Sequence, residues 1–193
     1  PFGGRSGIAV TGTGIGVVTV DHNAFIGGDI GVIPGAATGA SYIITNNTFS
    51  TMLNAPISIS PSTSLASSIL IDHNTFDDCA ANSCVVVGQP ATISNNTFHA
   101  QIARRVFNFV QVQTGTSGSP AATMIVNNSM VAVDIGAGSR GTVTTYAVTE
   151  AVSVYTGTAQ VSNNTITRTG HAVGAGVLGG LSATVTFTDN IVT

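Results

Sequence analysis

The chain has 193 residues, of which 43% are hydrophobic and only 7% charged, with no Lys, no Trp and a formal net charge of −3. This length is compatible with one domain and a sizeable core, and the apolar content argues against a disordered chain. The charge provides no basic surface for nucleic acid, and no apolar run approaches the roughly 18 residues of a membrane-spanning helix. Because Pro1 cannot be an initiating residue, we expect a processed, trimmed or excised chain.

The predicted elements repeat in groups of three strands after a Gly-rich lead-in at residues 1–6. The first strand of each group is predicted at 7–10, 31–33, 57–59, 85–87, 107–110, 152–154 and 176–178. Turns rich in Gly, Ser, Pro and Thr follow at 34–41, 60–68, 88–90, 114–122, 156–158 and 179–183. The second and third strands of each group flank an Asn turn.

Each Asn turn has an apolar residue three positions before the Asn and another two positions after it. The Asn residues are Asn23, Asn47, Asn74, Asn96, Asn128, Asn164 and Asn190, so the steps between them are 24, 27, 22, 32, 36 and 26 residues. Apolar residues alternate before the Asn, as at Val18 and Val20, which is typical of strands with one inward face. A unit that recurs every 20–50 residues indicates a solenoid.

The chemistry of Asn explains its place in this unit. Asn tolerates left-handed backbone and bonds to nearby main chain, so we place it at the sharp bend between two strands. If each unit is one coil, the seven Asn residues stack about 4.8 Å apart and their amides bond along the stack. The residues two positions later then form an interior column that changes from aromatic to aliphatic: Phe25, Phe49, Phe76, Phe98, Met130, Ile166 and Val192.

This pattern resembles the right-handed parallel β-helix repeat of the pectate-lyase-like superfamily, in which an asparagine ladder occupies a tight turn (the PbH1-type repeat). The resemblance extends over nearly the whole chain. It implies an all-β, right-handed parallel β-helix of about seven or eight coils, roughly 35 Å long. We expect residues 1–193 to form a single domain that could be a segment of a longer solenoid. The alternative is an ordinary β-sandwich with Asn-rich turns.

A second feature is a set of charged residues on the loops after the Asn turns. We call it the charged edge, and its members are Asp77, Asp78, Arg104, Arg105, Asp134, Arg140 and Arg168, with His99 and His171 beside them. Because coils stack, these loops are predicted to project from one side, where Arg could bind the carboxylates of a polysaccharide. The alternative is a row of solvated charges whose pairs contribute about 0–1 kcal/mol each.

The sequence indicates no catalytic residues. Glycosidic cleavage needs two carboxyl groups about 5–9.5 Å apart, and the enzymes of the family that this chain resembles use clustered acids. The outward positions predicted for the first strands carry no carboxylate; they are Ser58, Ser60, Asn108, Gln111 and Ser153. The prediction leans against an enzyme and, if the chain is one, it favours a polysaccharide lyase or glycoside hydrolase.

Neither a metal nor a cofactor is expected. His22 and His73 occupy equivalent positions two coils apart, which is too far for direct ligation of one ion. Cys79 and Cys84 either form a small local disulfide, which would fit an oxidising compartment, or stay reduced with Cys84 buried. Neither Cys has paired His ligands nearby.

The ends of the sequence suggest partners. A second copy placed after Thr193 puts its Asn23 26 residues beyond Asn190, which lies within the internal range of 22 to 36 residues. The chain is therefore either a segment of a longer helix or a unit that stacks end to end by strand addition; a capped trimer is a third arrangement. We expect an extracellular or cell-surface structural module, namely a fibre subunit, adhesin passenger or spike shaft. The alternative is a polysaccharide-active or carbohydrate-binding β-helix that uses the charged edge.

Overall fold

The computed structural model describes residues 6–10, 16–33, 39–60, 66, 68–78, 83–101, 108–114, 121–133, 151–169 and 177–193. These residues form nineteen strands, and every described strand pair is parallel. The architecture is an all-β, right-handed parallel β-helix, as the Asn repeat predicts. We number its seven coils by their Asn residues, from coil 1 (Asn23) to coil 7 (Asn190).

The first sheet begins each coil. Its strands are β1 (Ser6–Ala9), β4 (Ile30–Ile33), β7 (Ile57–Ile59), β10 (Ser83–Val87), β13 (Asn108–Gln113) and the first parts of β16 (Val152–Ser162) and β18 (Val177–Thr188). Val85 pairs with Ile57 on one side and with Val110 on the other, and all three side chains are buried. The register therefore stacks branched apolar residues in columns.

The second sheet follows in each coil. Its strands are β2 (Val17–Asp21), β5 (Ser41–Thr45), β8 (Ser68–Asp72), β11 (Thr92–Ser94), β14 (Thr123–Val126) and the last parts of β16 and β18. The turns predicted at 156–158 and 179–183 are wrong, because β16 and β18 run without interruption from the first sheet into the second. In β16, a register shift between Val154 and Thr156 and a φ of 93° at Gly157 mark an irregularity within the continuous strand.

The third sheet completes each coil. Its strands are β3 (Ala24–Gly28), β6 (Thr48–Met52), β9 (Thr75–Asp77), β12 (Thr97–Gln101), β15 (Ser129–Val133), β17 (Thr165–Thr169) and β19 (Ile191–Val192). In all seven coils, two residues separate the second-sheet strand from the third-sheet strand. This short connection is the Asn turn.

An aromatic column runs through the first four coils. The rings of Phe25, Phe49, Phe76 and Phe98 are nearly parallel, and successive centroids lie 4.7–5.1 Å apart. Met130 and Ile166 continue the column as buried aliphatic residues, so the predicted change from aromatic to aliphatic is confirmed.

The first sheet compensates for the size of this column. In coil 2, Phe49 packs so closely on Gly31 that a Cβ there would lie 2.6 Å from its ring. In coil 5, where Met130 replaces Phe, Phe109 of β13 is buried and its ring lies 5.6 Å from that of Phe98. The large ring therefore changes sides of the core between coils 4 and 5.

Candidate functional site

The Asn turn has a left-handed residue, but that residue is not the ladder Asn. The positive φ belongs to the residue before it, with values of 53–58° at His22, Asn46, His73, Asn95, Asn127, Asn163 and Asp189. All seven are Asn, Asp or His, the non-glycine residues that tolerate this conformation best. The expectation that the ladder Asn itself makes the bend is therefore wrong by one position.

The seven ladder Asn residues form one continuous column of hydrogen bonds. Within each pair of successive coils, the backbone N–H and Nδ2 of one Asn donate to Oδ1 of the next, at 2.8–3.1 Å. Nδ2 also donates back to the preceding coil, as from Asn96 to the Ile71 carbonyl at 2.9 Å. The ladder Asn residues of coils 2 to 6 are only 1–2% exposed, so these bonds satisfy buried amides. The structure thus brings all seven predicted residues together in a structural role.

A second, outer set of polar contacts lies beside the ladder, and sequence reasoning missed it. Asp21 accepts hydrogen bonds through Oδ1 from Thr45 (2.8 Å) and Asn46 (2.9 Å) on the next coil, while its Oδ2 lies 2.7 Å from Nδ1 of His22. We call this arrangement a carboxylate clip. The sequence signal was present as the alternation of Asp-His with Thr-Asn or Ser-Asn before the ladder position.

A second carboxylate clip with the same arrangement lies two coils further along the chain. Asp72 accepts from Ser94 (2.6 Å) and Asn95 (2.8 Å) through Oδ1, and its Oδ2 lies 2.6 Å from Nδ1 of His73. Each clip ties one coil to the following coil on the solvent side of the Asn turn.

The clips change the acidity of both carboxyl groups. Hydrogen bonds from Asn46, His22 and Thr45 stabilise the charged form and lower the pKa of Asp21 to about 2. Partial burial raises the pKa of Asp72, but hydrogen bonds from its three clip partners outweigh that effect, so this pKa is also lowered. Both groups are therefore carboxylates at neutral pH, which suits them to hold donors and not to deliver protons.

Only part of the charged edge lies within the described residues. Asp77 ends β9 and faces His99 of β12, with Oδ1 2.8 Å from Nδ1, and the N–H of Asp78 donates to the His99 carbonyl. Asp77, His99 and Arg168 belong to strands of the third sheet, so their predicted placement on loops is wrong. Arg168 lies in β17 opposite Ala132. Arg104, Arg105, Asp134, Arg140 and His171 lie outside the described residues.

The first sheet carries hydroxyl and amide groups that are largely buried, since Ser83, Asn108 and Ser153 are at most 1% exposed. The Ser83 hydroxyl hydrogen-bonds to Oδ1 of Asn108 and lies 2.9 Å from Oε1 of Gln111. The Ser153 side chain is fully buried, and its hydroxyl has no partner among the described residues. Ser83 was absent from the predicted outward set because its strand begins earlier than the apolar pattern indicates.

The described His, Cys and acidic residues bear on the metal and disulfide predictions. No group of three or more His, Cys, Asp or Glu side chains in the described ranges could hold a metal ion. Cys84 is fully buried and disulfide-bonded. Cys79, the other cysteine of the chain, lies outside the described residues.

Comparisons with protein-family models, with curated proteins and with solved structures find no match for this chain. Within the described part of the chain, no helix is long and apolar enough to cross a membrane.

Proposed function

We propose that the chain is an extracellular or cell-surface structural module, a stiff β-helical rod that serves as a fibre subunit, an adhesin passenger or a spike shaft. The observation that carries the proposal is the unbroken ladder from Asn23 to Asn190. It joins all seven coils through one column of amides, which is buried in coils 2 to 6.

The physics of this column supports a mechanical role. In a solenoid each coil contacts only its neighbours, so stiffness depends on every nearest-neighbour interface. Sliding or opening one interface would leave buried N–H and C=O groups without hydrogen-bond partners, each at a cost of about 1–3 kcal/mol. The two carboxylate clips add outer bonds between the same coils. These contacts resist bending at the Asn turn.

The disulfide at Cys84 supports the proposed location, because disulfides persist mainly in oxidising compartments such as the cell exterior. The ladder turn also supports the finer assignment to the pectate-lyase-like superfamily. In the alternative function, the charged edge binds or cleaves a polysaccharide; the contact between Asp77 and His99 is the described part of that surface.

Immunogold electron microscopy of the source cells and their secreted material, with antibodies raised against this chain, tests the proposal. We expect gold on surface appendages or on secreted fibres. Gold confined to the cell interior would contradict it. A glycan array and a lyase assay on the same preparation test the alternative, which predicts retention of an acidic glycan that is weakened at least about tenfold by Arg168→Ala.

A further inference from the structure

We propose that Asn163 is a site of N-linked glycosylation, where an oligosaccharide is joined to the side-chain amide on the solvent side of the Asn turn. The proposal rests on the extracellular or cell-surface location given above. It adds a modified residue and the chemical class of the group attached to it.

The acceptor motif for this modification occurs at four of the seven Asn turns. The motif is an Asn followed two positions later by Ser or Thr, with any residue except Pro between them, and it is typical of surface segments in secreted proteins. The turns of coils 2, 4, 5 and 6 contain it, with the acceptors Asn46, Asn95, Asn127 and Asn163. In each motif the ladder Asn is the middle residue and not the acceptor.

The fold exposes the acceptors and buries the ladder residues beside them. All four acceptors have a φ of 53–58° and are exposed, whereas the ladder Asn that follows each one is 1–2% exposed. The same left-handed position is occupied by His22, His73 and Asp189 in the other three coils. The ladder therefore accounts for the middle residue of the motif, but the bend does not require an Asn as the acceptor.

Two of the acceptors are held by the carboxylate clips. Nδ2 of Asn46 donates to Asp21 at 2.9 Å, and Nδ2 of Asn95 donates to Asp72 at 2.8 Å. A saccharide joined to either nitrogen would replace one of its two hydrogens and place a bulky group against the clip. These two acceptors are therefore poorly suited to carry a glycan on the folded chain.

The other two acceptors have no clip. On the coils that precede them, the positions equivalent to the clip carboxylates are Ser94 and Val126. Among the described residues, the side-chain amides of Asn127 and Asn163 make no hydrogen bond. Modification of either amide would therefore break no contact of the described fold.

The hydroxyl of the motif favours Asn163 over Asn127. Thr165, two positions after Asn163, is exposed, whereas Ser129, two positions after Asn127, is half-buried. Ser129 and Thr165 pair across adjacent strands, so the two acceptors lie about 4.8 Å apart along their column. This spacing is too small for two bulky saccharides side by side, and we therefore assign one glycan to Asn163.

The reaction that this assignment requires is a transfer from a saccharide carried on a polyprenyl diphosphate. A bond forms between Nδ2 of Asn163 and the anomeric carbon of the saccharide, while the bond between that carbon and a diphosphate oxygen breaks. Nδ2 gives up one proton to a base of the transferase, and the electron pair of the broken bond leaves with the diphosphate. The backbone N–H of Asn163 donates to the Thr188 carbonyl at 3.3 Å, and this bond is unaffected.

Tryptic peptide mapping of the protein secreted by the source cells tests the site. The chain has no Lys and its five Arg residues separate the acceptors. Peptide 141–168 contains the acceptor Asn163, peptide 106–140 contains Asn127, and peptide 6–104 contains the other two. We expect tandem mass spectrometry to find an oligosaccharide on peptide 141–168, with its first sugar on Asn163, and to find the other two peptides unmodified.

Three variants separate the acceptor motif from other attachments. Asn163→His substitutes a residue that occupies the same left-handed position in coils 1 and 3. Thr165→Val keeps the acceptor and the branched shape of an exposed side chain but removes the hydroxyl, whereas Thr165→Ser keeps a hydroxyl and is the control. Asn163→His and Thr165→Val should lose the saccharide completely while their circular dichroism spectra match that of Thr165→Ser, which should retain it.

An unmodified peptide 141–168, or a saccharide found only on the other two peptides, would overturn the inference. A saccharide that persists in Asn163→His or Thr165→Val would also overturn it, because the sugar would then be attached to another residue. Immunogold reports the location independently. Surface gold with an unmodified peptide 141–168 refutes the glycosylation site alone, whereas gold confined to the cell interior contradicts the proposed function.

Discussion

At the scale of single residues, one buried hydroxyl of the second sheet has no hydrogen-bond partner within the described part of the chain. Thr123 occupies an inward position of β14 opposite Ala159, is fully buried, and its Oγ1 has no hydrogen-bond partner among the described residues. A buried hydroxyl without a partner costs about 1–3 kcal/mol. Thr123 is therefore a position where the native residue lowers the stability of the chain.

We expect Thr123→Val to raise the free energy of unfolding by about 1 kcal/mol, because Val has the same shape without the polar atom. Urea denaturation followed by circular dichroism measures the change. Thr97→Val on the exposed outer face is the control and should have little effect. A loss of stability in Thr123→Val would show that the hydroxyl is satisfied.

The carboxylate clips predict how stability depends on pH. The folded-state pKa of Asp21 is about 2, below its ordinary value of 3.8, so the native state binds protons less readily than the unfolded state. The stabilisation is fully present above about pH 4 and is lost as the pH falls toward 2. Asp72 contributes in the same direction.

We therefore expect the free energy of unfolding to fall between about pH 4 and pH 2, and Asp21→Asn to make this fall shallower. Urea titrations at a series of pH values provide the measurement. Asp29→Asn removes a carboxyl group that takes no part in a clip and should leave the slope unchanged. An identical slope in Asp21→Asn would argue against the clip.

Residue-scale prediction from the sequence was right about the ladder and wrong about the bend. Four of the turns contain two consecutive Asn residues, so composition alone cannot assign one to the ladder and the other to the left-handed position. The turns that contain His22, His73 and Asp189 distinguish the two positions, because only the second residue of each is Asn and the first has the positive φ. The bend accepts several polar residues, whereas the ladder requires an amide that both donates and accepts.

At the scale of elements, the contact of Phe49 with Gly31 ties the first sheet to the third. A Cβ on Gly31 would lie 2.6 Å from Cε1 of Phe49 and 2.9 Å from the Pro56 carbonyl oxygen. The backbone of Pro56 cannot move without disturbing β7. The strand β4 can therefore approach the aromatic column only because this position lacks a side chain.

We expect Gly31→Ala to destabilise the fold by about 1–3 kcal/mol through overpacking. Adding Phe49→Leu should recover part of that loss, and a double-mutant cycle in thermal or urea denaturation isolates the coupling between the two positions. Gly16→Ala, where nothing lies within 4 Å of the added Cβ, is the control. Equal losses at Gly16 and Gly31 would contradict the packing argument.

The sequence predicted the strands of the second sheet better than those of the first. Alternation of apolar residues gave β5 and β8, because both strands are regular and half-buried. In the first sheet, the N–H groups of Phe109 and Val110 both donate to the Ala151 carbonyl, which marks a bulge. This bulge breaks the period of two within β13, and β10 begins at Ser83, two residues before the strand that the apolar pattern predicts.

At the scale of the whole molecule, the repeat predicts the number and order of the coils because each coil must satisfy the same ladder. The charged edge could not be predicted in the same way. Asp77 and Arg168 lie within strands of the third sheet, and Arg104, Arg105, Asp134 and Arg140 lie outside the described residues. Among the described residues, the side chains of Asp77 and His99 are brought together because the sheet register holds the two residues opposite each other.

The nearest-neighbour construction predicts graded protection from hydrogen exchange in the monomer. Asn96 and Asn128 are held by coils on both sides, whereas Ile191 lies on a coil with a single neighbour in the described chain. We expect the backbone N–H of Asn96 to exchange at least about tenfold more slowly than that of Ile191. NMR-detected exchange under non-associating conditions measures both rates. Equal rates would indicate that the coils open only as one cooperative unit.

The constant length of the Asn turn has a consequence for how such a chain can evolve. The steps between ladder Asn residues range from 22 to 36 residues, a difference of fourteen, yet two residues always separate the second-sheet strand from the third-sheet strand. The differences in length therefore lie in the strands and at the other two corners of the coil. A gene of this kind can acquire new surface segments at those corners without disturbing the third. One border of the molecule stays fixed while the other two remain open to variation.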